Sequence, residues 1–169
     1  MSSNKVLIYI GLLATVLSSS CGIYKLNGVT IPESIKTVSV AYIENKASLV
    51  APDLSPALSD KLRTKFLTQT NLRLIDDEGD FTISGEVIEY SVGPVGSQDN
   101  ATASVNRLQI VVRARLECSK EPKLEFDRTF TQFEDFDADK NLADVESDII
   151  QNLSDNLVQE IFNKATLNW

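Results

Sequence analysis

The stretch Asn106-Arg107-Leu108-Gln109-Ile110-Val111-Val112-Arg113-Ala114-Arg115-Leu116-Glu117-Cys118 decides how this chain folds. Leu108, Ile110, Val112, Ala114, Leu116 and Cys118 share one parity; Arg107, Gln109, Arg113, Arg115 and Glu117 share the other. A period of two over so many residues is the signature of a long strand with one face buried and one in water. Such a strand needs a sheet around it and a layer of apolar cover on its buried face.

Both are readable on either side. Downstream, Glu121-Pro122 marks a turn, and Leu124, Phe126 and Phe130 continue in a further strand. Upstream, Phe81, Ile83, Gly85 and Val87 share one parity and Ile88, Tyr90 and Val92 the other, a phase change that predicts a bulge near Gly85–Ile88. Gly93 to Ala103 reads as a polar loop. Val38, Val40 and Tyr42 alternate with Thr37, Ser39 and Ala41 as a first strand, and Leu72 to Ile75 form a short one. Two helices supply the cover. Leu54, Leu58, Leu62 and Phe66 recur every four residues along a helix from about 56 to 69, with Ser55 as its cap and Pro56 at its first position. Leu142, Val145, Ile149, Leu153, Leu157 and Ile161, broadened by Ile150, Val158 and Phe162, define a second from about 144 to 164. The expected fold is α+β: a two-layer sandwich of one mainly antiparallel sheet, with two helices packed on one face and Leu62, Leu116 and Leu153 buried between the layers.

The amino terminus carries a different signal. One cation, Lys5, precedes an apolar run from Val6 to Leu17, and small residues lead into Cys21. That is the layout of a secretory signal peptide, with its cleavage site abutting a cysteine as in bacterial lipoproteins, although Ser18 stands where the usual motif has Leu. The alternative is an ordinary signal peptide with an incidental Cys. On the lipoprotein reading, residues 1–20 are a signal peptide, 21–36 a lipidated tether and 37–169 a single domain. The apolar run is shorter than the roughly 20 residues a membrane span requires. Several acyl chains on Cys21 at about 0.8 kcal/mol per buried methylene would anchor the chain firmly.

Removing residues 1–20 leaves 149 residues and, with Lys5 gone, takes the net charge from -8 to -9. That is length for one core, and acidity of this degree argues against nucleic acid as a partner. With Cys21 lipidated, Cys118 has no thiol to pair with, so no internal disulfide is expected; its parity makes it a core residue. The chain contains no histidine. This removes the commonest general base, the usual activator of Ser and Cys nucleophiles, and the commonest metal ligand, so a non-catalytic binding or structural protein without a cofactor is expected, with a carboxylate-only periplasmic hydrolase as the catalytic alternative.

Three polar groupings remain. Asp135, Asp137, Asp139, Asn141 and Glu146 fall at the offsets of a calcium loop, but Lys140 replaces the required Gly, and an acidic approach to a helix N-terminus accounts for the same residues. Asp76, Asp77, Glu78 and Asp80 read as a solvated turn, and Asn100-Ala101-Thr102 as a chance glycosylation pattern. Arg107, Arg113 and Arg115 form a basic row on an exposed strand face. They suit phosphate or carboxylate ligands, or else pair across strands with Asp and Glu.

A family resemblance spans most of the chain after the signal. Its segments are Ile31-Pro32-Glu33-Ser34-Ile35-Lys36-Thr37-Val38, Thr70-Asn71-Leu72-Arg73-Leu74-Ile75, and Gly79-Asp80-Phe81 with Gly85. They continue with Asn106-Arg107-Leu108, Phe130-Thr131-Gln132-Phe133 with Asp135-Phe136, and Ile161-Phe162-Asn163-Lys164-Ala165 with Asn168-Trp169. In order and spacing these resemble the LPS-assembly lipoprotein family, LptE, in a divergent branch. The resemblance implies a lipid-anchored outer-membrane protein on the periplasmic face. It would sit within the lumen of a large β-barrel partner, LptD, plug it, and help lipopolysaccharide reach the surface. Asn106, Arg107, Arg113 and Arg115 are then the expected contacts to the barrel or to lipopolysaccharide. The alternative is another periplasmic interaction lipoprotein, acting on a peptidoglycan synthase or a secretion pore.

Overall fold

The computed structural model describes residues 31–49, 51–95 and 105–167. The expected signal peptide, Cys21, the Asn100 sequon, most of the segment 93–103 read as a loop, and Asn168-Trp169 lie outside them.

The chain order is β1 (Thr37–Val40), β2 (Glu44–Asn45), α1 (Leu54–Gln69), β3 (Arg73–Leu74), β4 (Phe81–Pro94), β5 (Val105–Cys118) and β6 (Phe126–Asp137). A single 3-10 turn (Pro122–Leu124) precedes β6, and α2 (Leu142–Thr166) closes the chain. The strands form one open sheet in the order β3-β1-β4-β5-β6, with β2 also beside β4. The long strands β4, β5 and β6 are antiparallel, as expected. The pairings of β1 with β3 and β4, and of β2 with β4, are parallel. A strand-helix-strand crossover returns the chain in the same direction, so β1-α1-β3 had to pair this way. The short strand β2 has no periodicity to announce it and was not expected.

The two helices share one sheet face. Leu54, Leu58, Leu62 and Phe66 are fully buried, as are Leu108, Ile110, Val112 and Leu116 of β5 and Leu157 and Ile161 of α2; Leu153 is 1% exposed. Phe66 meets Phe162 edge-on, with ring centroids 4.9 Å apart. Lys61 donates to Asp155 (2.5 Å) and Lys65 to Gln159 (2.5 Å), so contacts advance together along both helices and the helices run in the same direction.

Details depart from the periodicity. Helix α1 begins at Leu54, two residues early, because the Ala51-Pro52-Asp53 turn already offers its carbonyls: Leu54 N–H donates to Ala51 and Ala57 N–H to Asp53. Asp53 occupies the cap position without a side-chain bond, which places Ser55 inside the helix. Pro56 is tolerated there because the first turn needs no N–H from it. Helix α2 also starts two residues early, where Asn141 accepts from the Ala143 N–H at 3.3 Å. The bulge falls between Val87 and Glu89, so Ile88 is the inserted residue and stays 41% exposed while Tyr90 returns to the core. Gly85 serves a close approach instead, since a Cβ there would lie 2.9 Å from the Arg113 carbonyl oxygen.

The Ser154 hydroxyl is fully buried on α2 and has no hydrogen-bond partner among the described residues. Leaving a buried hydroxyl unpaired costs roughly 1–3 kcal/mol, and Ala is also the better helix former. Ser154→Ala is therefore expected to raise the denaturation midpoint, by about 1 kcal/mol in stability. A lower midpoint would mean that the hydroxyl has a partner.

Candidate functional site: the ion-pair ladder on the open sheet face

The helices cover one face of the sheet, and the other presents the odd-numbered residues of β5 and β6. Strand alternation therefore separates the four expected contact residues. Arg107, Arg113 and Arg115 stand together on the open face, whereas Asn106, opposite Phe136, has the helix-side parity.

Each arginine is held by an aspartate of β6. Arg107 faces Asp135 directly and grips it with two bonds, Nε to Oδ1 at 2.6 Å and Nη2 to Oδ2 at 2.9 Å. Its guanidinium lies 3.8 Å above the Phe133 ring, a cation–π stack. Arg113 reaches diagonally to Asp127 (2.7 and 2.8 Å), and Arg115, directly opposite, shares the Asp127 Oδ2 at 2.9 Å. Gln109 donates to Glu89 at 3.2 Å, and Glu86 stands opposite Arg113. Of the two readings of the basic row, the structure supports cross-strand pairing. Asp127, Asp135 and Phe133, which the sequence reading did not assign to this group, complete it. Their parity on β6 was the available signal.

The chemistry follows from this pairing. Hydrogen bonds from Arg113, then from Arg115, pull the Asp127 carboxyl down to about 2, and the Arg107 bonds lower Asp135. The same bonds raise Arg107 and Arg113 further above their ordinary value. A phosphate group arriving here would compete with carboxylates already seated on the guanidinium forks. Both partners remain open to water: the Arg113 and Arg115 side chains are about half exposed. Arg113→Ala with Arg115→Ala should return the Asp127 titration toward its ordinary value near 3.8, read by NMR of its carboxyl. The sign is fixed by the depressed folded value: the contribution to stability is present above 3.8 and lost as pH falls toward 2. An unchanged Asp127 titration in that variant would show another group holding it. Val111 has the same parity but is only 8% exposed, placed between Glu89 and Thr131.

Other groupings have structural roles. Asp80 is no solvated turn residue. Its carboxylate accepts from the Lys36 N–H (2.7 Å), the Thr37 N–H (3.1 Å) and Lys120 Nζ (2.8 Å), and Thr37 Oγ1 accepts from the Asp80 N–H (2.9 Å). The Lys120 bond is the largest cause of an Asp80 carboxyl held far below its ordinary range. Asp80 thus ties the start of β1 to the turns flanking β4 and β5. The residues at calcium-loop offsets are dispersed. Asp135 holds Arg107, Asp137 pairs with Lys140 (3.4 Å), Asn141 caps α2, and Glu146 accepts from the Tyr90 hydroxyl. Burial, then that bond, raises Tyr90 above its ordinary value. Among the described residues no group of three or more Cys, Asp or Glu is placed to hold a metal, and no helix is long and apolar enough to cross a membrane. Cys118 is buried, its Sγ accepting from the Glu121 N–H. Ser59 is a packing residue, donating to Ser55 O and accepting from the Ile43 N–H.

Solved structures share this fold. A minor lipoprotein from Acinetobacter baumannii superposes with a TM-score of 0.52 at 18% identity, covering 78% of this chain and 92% of that one. An uncharacterized lipoprotein B from Nitrosomonas europaea gives 0.54 at 16% identity over 81% and 84%, and a hypothetical protein from Chlamydia trachomatis 0.53 at 11% over 79% and 99%. A search of curated protein sequences returns no match. The profile of one family, described as LptE, lipopolysaccharide-assembly, matches residues 35–165, from the start of β1 to the last turn of α2. Matched over that length, and folded as a mixed sheet under two helices, this chain belongs to the LptE family of lipopolysaccharide assembly.

Proposed function

We propose that this protein is a non-catalytic lipoprotein, anchored through lipid on Cys21 to the periplasmic face of the outer membrane. There it partners and plugs an LptD-like β-barrel during lipopolysaccharide transport. The family supports the process, and the open sheet face carries the reading of the contact. That face is charged yet internally paired, with Arg107, Arg113 and Arg115 on Asp135 and Asp127. Barrel interiors are polar. A plug that enters such a lumen must offer hydrogen-bonding groups without stranding bare charges, and a neutralised ladder does both. Recognition of lipopolysaccharide phosphates by the same arginines would require their aspartates to be displaced, so the barrel wall is the favoured contact.

The test is capture of the native chain from membranes, with the bound proteins identified by mass spectrometry, alongside depletion of the chain in cells. The expected result is a large outer-membrane barrel in one-to-one ratio, and reduced surface lipopolysaccharide on depletion. Cys21→Ala should leave an unprocessed or soluble form that recovers less barrel. Normal surface lipopolysaccharide after depletion would overturn the reading, and so would capture of a peptidoglycan synthase in place of a barrel.

A further inference from the structure

Strand β6 has a neighbour on one side only: among the described residues, nothing pairs with its outer edge. It is also a long edge, 12 residues with an unbroken register against β5 from Asp137 to Phe126. Exposed edges are usually blunted by Pro, Lys, bulges, brevity or inward-pointing charges. β6 has no Pro, Lys or bulge and is not short; charges on its helix-side parity are confined to Arg128 and Glu134, and its centre, Thr129-Phe130-Thr131-Gln132-Phe133, is uncharged and rich in β-branched and aromatic residues.

The charges flanking that centre are self-complementary. A second copy of β6 laid antiparallel about a two-fold axis through Thr131 sets Arg128 of each strand opposite Glu134 of the other. It also sets Thr129 opposite Phe133 and Thr131 opposite itself. Arg128 is exposed and has no ion-pair partner among the described residues, whereas Glu134 accepts only a 3.3 Å bond from Asn152. Of the other charged positions, Asp127 faces Asp135 and Asp137 faces Glu125; Asp127 and Asp135 each already hold an arginine of their own chain, and Asp137 holds Lys140. Phe133, 50% exposed in the single chain, gains the β-branched partner that favours such a cross-strand pair. The axis is perpendicular to the sheet, so both helical layers stay on the same side. Phe130, Gln132 and Glu134 are half-buried under α2.

We propose that β6 is a self-association edge, at which two copies of this chain pair antiparallel about Thr131 to form one continuous sheet. The inference stands apart from the barrel reading, since it concerns the chain without its partner. Opposite charges facing one another across strands set register, and like charges at the same positions oppose it.

The test uses the full lipidated chain in detergent, followed by sedimentation velocity over a range of protein concentrations. A reversible dimer is expected. Arg128→Glu or Glu134→Arg alone places like charges at both symmetric positions and should weaken the dimer about tenfold or more. The double exchange restores opposite charges and should return the affinity to within about threefold of the original. Register is read independently by cross-linking: Thr131→Cys should form a disulfide between copies, and Thr129→Cys, which faces Phe133, should not. A chain monomeric throughout overturns the proposal, as does failure of the double exchange to restore association. Equal cross-linking at position 129 overturns the register. Cross-linking of the Thr131→Cys variant to a different membrane protein, with no dimer, assigns the edge to that partner and overturns self-association.

Discussion

Leu153→Ala lowers the stability of the folded domain by about 2–5 kcal/mol, a large part of the roughly 5–15 kcal/mol that holds a domain of this size. Leu153 is 1% exposed at the middle of α2, on the stripe with Ile149, Leu157 and Ile161, in the same cluster as Leu108, Ile110 and Leu116 of β5. Truncation removes the transfer energy of its methyl and methylene groups. It also leaves a cavity that cannot collapse easily, because the cover on one side is a helix and the floor on the other is a ladder of paired strands. No disulfide is available among the described residues to offset the loss, since Cys118 is free. Denaturant unfolding followed by circular dichroism measures it. An unchanged midpoint would mean that α2 does not pack through this face. The same substitution at an exposed site of α2, Gln151→Ala, should move the midpoint little, which separates loss of packing from loss of helix.

The second large effect is on association. On the proposed function, replacing Arg107, Arg113 and Arg115 together by Ala should cut the barrel recovered with the protein by about tenfold or more, because charged groups in an interface govern register and partner choice. The variant unpairs Asp127 and Asp135 at the same time, turning a neutralised ladder into a purely acidic face. The fold should survive, because these pairs lie in water on the face away from the core, where ion pairs contribute little to stability. The readouts are co-purification with the barrel, resistance of cells to large antibiotics, and an unaltered circular dichroism spectrum. If the variant assembles and protects as well as the parent, the open face is not the contact. Adding Asp127→Asn and Asp135→Asn to the triple variant removes the stranded charge. Recovery of barrel binding in that five-fold variant would assign the loss to carboxylate repulsion rather than to missing arginine contacts.

The elements with strong periodicity were legible before any coordinates. The alternation of β5 placed Leu116 inward and Arg113 outward, and the four-residue spacing of Leu54 to Phe66 gave α1 its buried face. The phase change along β4 announced the bulge. Each of these is a local pattern that only one element geometry can satisfy while burying its apolar side chains. Boundaries were less legible, since the start of α1 depends on the Ala51 and Asp53 carbonyls offered by a turn. Ser55 looks like a cap only while that turn is ignored.

The sequence by itself determined the layers, the helix-covered face, and the presence of three arginines on one side of a strand, whereas the parallel pairing of β3 beside β1 was reported by the structure. Side-chain period is a property of neighbouring residues, and it needs no knowledge of what lies across the sheet. Only the tertiary structure decided which charges meet. Asp127 stands 14 and 12 residues beyond Arg113 and Arg115, and Asp135 stands 28 beyond Arg107, spacings that parity alone does not resolve; the β5–β6 register is what sets Asp135 on Arg107 and Asp127 between its two arginines. The same holds for Asp80, which reads as one acid of a turn until Lys36, Thr37 and Lys120 converge on it from elements more than 35 residues away. Ion pairing is a short-range contact between side chains distant in the chain. Its partners exist only once strand register and turn geometry have brought them within bonding distance.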